Sequence, residues 1–171
     1  MLKDDFDRTI NTWIDALEKR SWEQLCMKPS SASWSLGQLY VHLIENTTYF
    51  LEQVQVCLST DEFASEAMTA EGKEMFERNA FPDALIEGPP ENAMTPQPTS
   101  KEDLKKGMLQ LKREGSRLGE MTLASGRTGK TQHPGLRYLN AQEWFQFAEM
   151  HMRHHFRQKS RIDAFLLEAA Y

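Results

Sequence analysis

Near the end of the chain, His151 and His155 lie four residues apart, and Gln158 follows one turn later. Read at helical spacing, Trp144, Phe147, Ala148, His151, His155, Gln158, Ile162, Phe165 and Leu166 fall on one stripe of a helix expected over residues 140–169. Everything else on that stripe is apolar or small. Polar groups on a buried face need a partner, because losing water without a replacement is costly. One partner is a metal ion: an i, i+4 pair puts both imidazoles on one face, one turn apart, which suits a single cation. The other is a hydrogen bond, between the histidines themselves or to Gln158. His154, at i+3 from His151, lies further from the centre of the stripe and ranks behind His155.

A metal site needs a third ligand, and His42 is the only other histidine on an expected helix. Taken alone, such a residue is more often a core or surface histidine than a ligand. Three imidazoles with an open position would mark a reactive site rather than a structural one. Gln158 would then hydrogen-bond a ligand or a bound water. No acid or base identifies itself beside the histidines, since Glu149 points away from the stripe and Glu45 only borders it.

Four long helices are expected to position these residues. Phe6, Ile10, Trp13, Ile14 and Leu17 give the first, over Lys3 to Arg20. After a serine-rich loop (Ser21 to Ser33), Ser35 and Gln38 have the spacing of a capping box and open a second helix that runs to about Cys57. From 58 to 100 the pattern weakens. A short helix fits Ala64 to Arg78, but Phe81-Pro82, Gly88-Pro89-Pro90 and Pro96 to Pro98 interrupt the rest. Such a long connection is usually functional or mobile, and a lid is one possibility. Ser100 and Asp103 open the third helix, carrying Leu104, Met108, Leu111 and Leu118. Ala124 to Arg137 reads as a Gly-rich basic loop, and Asn140 with Glu143 caps the last helix. No convincing strand appears. The expected architecture is all-α: a single domain over 1–171, a four-helix bundle with a long crossover between its second and third helices.

Composition narrows the function. The 171 residues are 40% hydrophobic and 26% charged, which is ordinary for a globular protein, and the net charge of -5 argues against a nucleic-acid partner. No apolar run reaches the roughly 20 residues that span a bilayer, and the N-terminus lacks a signal-peptide pattern. A cytoplasmic protein is expected. The two cysteines, Cys26 and Cys57, make neither a disulfide framework nor a thiolate zinc site. Cys57 lies 15 residues beyond His42 on the same helix, roughly 22 Å away, so both cannot serve one site.

Other motifs have plain readings. Ala124 to Thr131, ASGRTGKT, satisfies a relaxed phosphate-loop pattern. Such a loop works only after a strand and before a helix. Here a helix precedes and Gln132-His133-Pro134 follows, so nucleotide binding is rejected. His133 reads as a solvated or turn-stabilising residue ahead of one that reaches the pocket mouth. Arg153, Arg157, Lys159 and Arg161 read as a wet face, with the option that one binds a substrate carboxylate.

The stretches HPGLRYLNAQEWFQFAEMHMRHHFRQ and WSLGQLYVHLIENTTYF resemble the DinB/YfiT-like superfamily of metal-binding four-helix bundles. The shared features are a Trp-initiated second helix with one His, a polar loop ending in His-Pro, and a final helix with H-x-x-x-H and a following Gln. The resemblance implies that His42, His151 and His155 are metal ligands and that His154 is a non-ligating neighbour. It further implies a mononuclear zinc or nickel site, often in a homodimer. The implied chemistry is transfer of a low-molecular-weight thiol (bacillithiol or mycothiol) to a small-molecule electrophile, or metal-assisted hydrolysis. The rival is a non-catalytic, stress-linked binding protein in which metal pins the helices together.

Overall fold

The computed structural model describes residues 1–82 and 94–169. Helix α1 (Leu2–Glu18) buries Phe6, Ile10, Trp13 and Leu17 along one face, as their spacing requires. The stretch expected to be a serine-rich loop contains a further helix, α2 (Trp22–Cys26). Ser21 and Gln24 form a complete capping box there, and fully buried Leu25 anchors the single turn. Helix α3 (Leu36–Cys57) has the expected bounds, with Ser35 Oγ accepting from Gln38 N and the Gln38 side chain accepting from Ser35 N.

The described residues of the crossover hold a helix and a set of tertiary hydrogen bonds. Helix α4 (Ala70–Arg78) starts six residues later than the expected Ala64, because Thr69 is the residue that caps it, through Gly72 N. It stops where Asn79 turns left-handed, at φ 51. The returning limb is bonded to the start of α3: Gln38 Nε2 donates to Thr95 O (2.6 Å), and Ser35 Oγ to Gln97 Oε1 (2.7 Å). Pro98 sits so close that a Cβ on Gly37 would lie 2.6 Å from its Cγ, so glycine is required at that position. The Gly88-Pro89-Pro90 breaks lie outside the described residues.

Ser100 caps α5 (Lys101–Ala124) through Asp103 N, as its spacing predicts. The basic loop is not wholly a loop. Strands β1 (Lys130–His133) and β2 (Arg137–Asn140) pair antiparallel, Lys130 opposite Asn140 and His133 opposite Arg137. Neither four-residue strand shows the apolar alternation that would announce it. Their support is tertiary, from Trp144 Nε1 donating to Thr131 Oγ1 (2.7 Å) and from the Lys130 ammonium on Glu66 O. That bond also disposes of the phosphate-loop pattern, because Lys130 lies in a strand and is already engaged.

The last helix, expected as one, is two: α6 (Ala141–His154) and α7 (Phe156–Glu168), meeting at His155. His155 keeps a right-handed conformation and its N–H still reaches His151 O at 3.3 Å. Its ψ of -7° is well short of the roughly -42° of a regular helix, a local tightening at a residue whose ring is held on two sides.

Around the bundle the order is α1, α5, α3, α6, and α6 returns to α1. The fold is all-α apart from the hairpin. One contiguous core joins Phe6, Trp13, Tyr40, Trp144 and Phe145 to buried leucines of α1, α3, α5 and α7. A Cβ on Gly115 would lie 2.1 Å from the Phe6 ring, so α1 and α5 approach as closely as they do only because that residue is glycine. Among the described residues, no helix is long and apolar enough to cross a membrane.

Candidate metal centre

Helices α3 and α6 pack face to face and bring His42 into line with the end of α6. His42 is 5% exposed, while His151 and His155 are half-buried, so the cluster is closed on the α3 side and open on the other. The Nε2 atoms converge: His155 Nε2 lies 3.2 Å from His42 Nε2 and 3.2 Å from His151 Nε2. All three residues offer ligand atoms within 4.8 Å of one another. Two nitrogens bound at about 2.05 Å to a tetrahedral cation are roughly 3.3 Å apart. His154 is outside this group. Its ring stands edge-on to Phe81, centroids 5.2 Å apart.

The surrounding groups decide where the ring protons sit. Gln158 Oε1 is 3.0 Å from His155 Nδ1 and can only accept, so His155 carries its proton on Nδ1 and turns a bare Nε2 toward its neighbours. Asn46 Nδ2, which can only donate, is 3.1 Å from His42 Nδ1. His42 therefore carries its proton on Nε2 and donates to His155. That uses the one lone pair His155 has. His151 faces the same lone pair, and its Nδ1 is buried with no partner among the described residues. Hydrogen bonding within the trio thus leaves His151 unmet. Three imidazole nitrogens aimed at one point are a donor set that a borderline divalent cation fits.

Electrostatics favours neutral imidazoles. Burial lowers His42 to about 4. Burial lowers His155 to about 4 as well, with His42 adding to the shift and the Gln158 bond opposing it. Burial also puts His151 well below the usual range, reinforced by its three neighbouring histidines. No carboxylate among the described residues contributes to any of these shifts. The walls are aromatic: Trp34 is 5.0 Å from the His42 ring, and Phe50 and Phe81 are 5.3 and 6.3 Å from His151.

The other candidates separate cleanly. His133 stabilises a turn, as one of its readings held, with Nδ1 accepting from Gly135 N and Leu136 N (3.0 and 3.1 Å). Cys57 is buried against Leu139 O and Thr131. Glu149 does point away from the histidines, into a network of its own: it is 4% exposed and accepts from Thr9 Oγ1 (2.7 Å) and from Arg153 at both oxygens (2.9 Å each). Arg153 is accordingly no part of a simple wet face, since it also donates to Asn79 O (2.7 Å). Lys159 is likewise mostly covered, paired with Asp163 at 2.5 Å. Asn46, Trp34 and Phe81 were not among the residues singled out by spacing. Asn46 had one signal, its place four residues after His42 on the same helix face.

The family model of the DinB superfamily matches residues 5–158, a span that includes all three histidines and ends at Gln158. No curated protein and no solved structure matches the chain.

Proposed function

The chain belongs to the DinB superfamily, and on that premise we propose that it is a metal-dependent enzyme acting through His42, His151 and His155 on one divalent ion, zinc or nickel. The proposed reaction is transfer of a low-molecular-weight thiol of the bacillithiol type to an electrophilic small molecule, ahead of hydrolysis. Gln158 holds His155 in the tautomer that leaves Nε2 free. The observation that carries the reading is the convergence of three neutral nitrogens with no described carboxylate beside them.

A divalent ion held by neutral imidazoles keeps its full charge, and it supplies the Lewis acidity that holds a thiol as thiolate or polarises a substrate oxygen. Hydrolysis would also call for a base to take a proton from water, and no described residue beside the histidines fills that role. A thiol ionises far more easily, near pH 8.5 in free cysteine, and can give its proton to solvent. Its sulfur then bonds to the electrophilic carbon while the leaving group departs with the electron pair. Trp34, Phe50 and Phe81 surround the histidines with apolar surface, which excludes water and suits an apolar acceptor.

The test is conjugation of cysteine, bacillithiol or mycothiol to monochlorobimane by protein incubated with zinc or nickel. Acceleration by wild type and its loss in His151→Ala and His155→Ala is the expected result. If the protein holds metal firmly yet accelerates none of these reactions, thiol transfer is wrong. The ion would then serve to pin α3 to α6.

A further inference from the structure

His155 enters the cluster ready to act as a ligand, with its proton on Nδ1 against Gln158 and a lone pair on Nε2. His42 does not. Asn46, one turn further along α3, places its Nδ2 3.1 Å from His42 Nδ1 and 3.0 Å from His42 O. In that orientation the His42 proton occupies Nε2, the atom that faces His155. A ligand nitrogen needs a lone pair there, so the proton must move to Nδ1, where it meets an amide group that cannot accept it.

We propose that Asn46 is the positioning residue of His42, and that its side-chain amide turns over when a divalent cation is taken up. Oδ1 then accepts from His42 Nδ1–H and Nε2 is left bare. This rests on the metal reading above. The turn gives up the Asn46 Nδ2 bond to His42 O, and the amide must swing clear of that carbonyl as its oxygen comes round; His42 O, inside α3, keeps the helical N–H of the residue four further on. No other described polar group stands at His42 Nδ1, and a ring 5% exposed has little access to water. The Trp34 ring, 5.0 Å away, limits how far the imidazole can swing instead. An amide can serve both states of the site because it has a donor end and an acceptor end. A carboxylate could serve only the loaded state, and an aliphatic side chain neither.

That ranking is the test. Zinc affinity is measured by competition with a chromogenic chelator, and the absorption of cobalt-loaded protein is recorded, for wild type, Asn46→Leu and Asn46→Asp. Asn46→Leu is expected to bind zinc about 10–100-fold more weakly and to change the cobalt bands, as loss of an outer hydrogen bond to a ligand does. Asn46→Asp is expected to bind at least as tightly as wild type. Should Asn46→Leu fail to fold, Asn46→Ser, too short to hold His42, is expected to show the same loss. A Leu or Ser variant with wild-type affinity overturns the inference alone, as does an Asp variant weakened as much as Leu. A wild type that takes up neither zinc nor cobalt overturns the metal reading, and this inference with it.

Discussion

Helix α6 carries two polar clusters built to the same plan. Glu149 and Arg153, four apart, meet Thr9 of α1. His151 and His155, also four apart, meet His42 of α3. In the first cluster donors face acceptors: both Glu149 oxygens are bonded, and Arg153 continues to Asn79 O. In the second, like faces like, and two nitrogens face the one lone pair on His155 Nε2. The first is complete as it stands and ties α1, α6 and the end of α4 together. The second leaves His151 Nδ1 without a partner among the described residues, and its three converging nitrogens could hold a metal ion. The difference separates a structural network from a candidate metal site.

If that contrast is right, the two clusters respond differently to damage. Arg153→Met leaves a buried carboxylate with only Thr9 as partner, and should cost about 3 kcal/mol of stability. A value toward the low end is expected, because Arg153 is itself 38% exposed. Chemical denaturation reads the loss, and zinc affinity should be almost unchanged. A variant that lost zinc but kept its stability would reverse the assignment of the two clusters.

A second effect comes from pH. His42 and His155 sit at about 4 in the folded protein and near 6.5 unfolded. Between those values the unfolded chain binds more protons, so stability rises with pH. Metal-free protein should therefore be most stable above about pH 6.5 and lose stability as pH falls toward 4. Unfolding midpoints across that window should fall less steeply for the His42→Gln, His155→Gln double variant. His133, also held at about 4 by burial, supplies part of the slope that remains. Equal slopes in the two proteins would mean that the trio is not buried as neutral imidazole.

Much of this was legible in the residue order, for reasons that vary by element. The starts of α3, α5 and α6 are written in side chains that bond their own backbone, Ser35 with Gln38, Ser100 with Asp103 and Asn140 with Glu143. The His151–His155 pair was visible because a helix turns four residues back onto one face. Its meeting with His42 came from placing that residue's face on a second helix. The Ser21–Gln24 box has the same signature but lies among serines and closes only one turn, so it passed for loop. The hairpin was hidden because its strands do not alternate and one of its supports, Glu66, lies 64 residues from Lys130. Glu149 was read as pointing away from the histidine stripe, but its network stayed hidden because nothing near it announces Thr9, 140 residues away. The break at His155 barely disturbs the apolar phase, so periodicity ran through it.

The central claim is that the unfinished cluster holds a metal ion. Metal analysis of desalted protein, after incubation with zinc or nickel, tests it most directly when wild type is run beside His42→Ala. The account predicts one ion per chain in wild type and none retained in the variant. Wild type without stoichiometric metal, or a His42→Ala variant that keeps its ion, would contradict it.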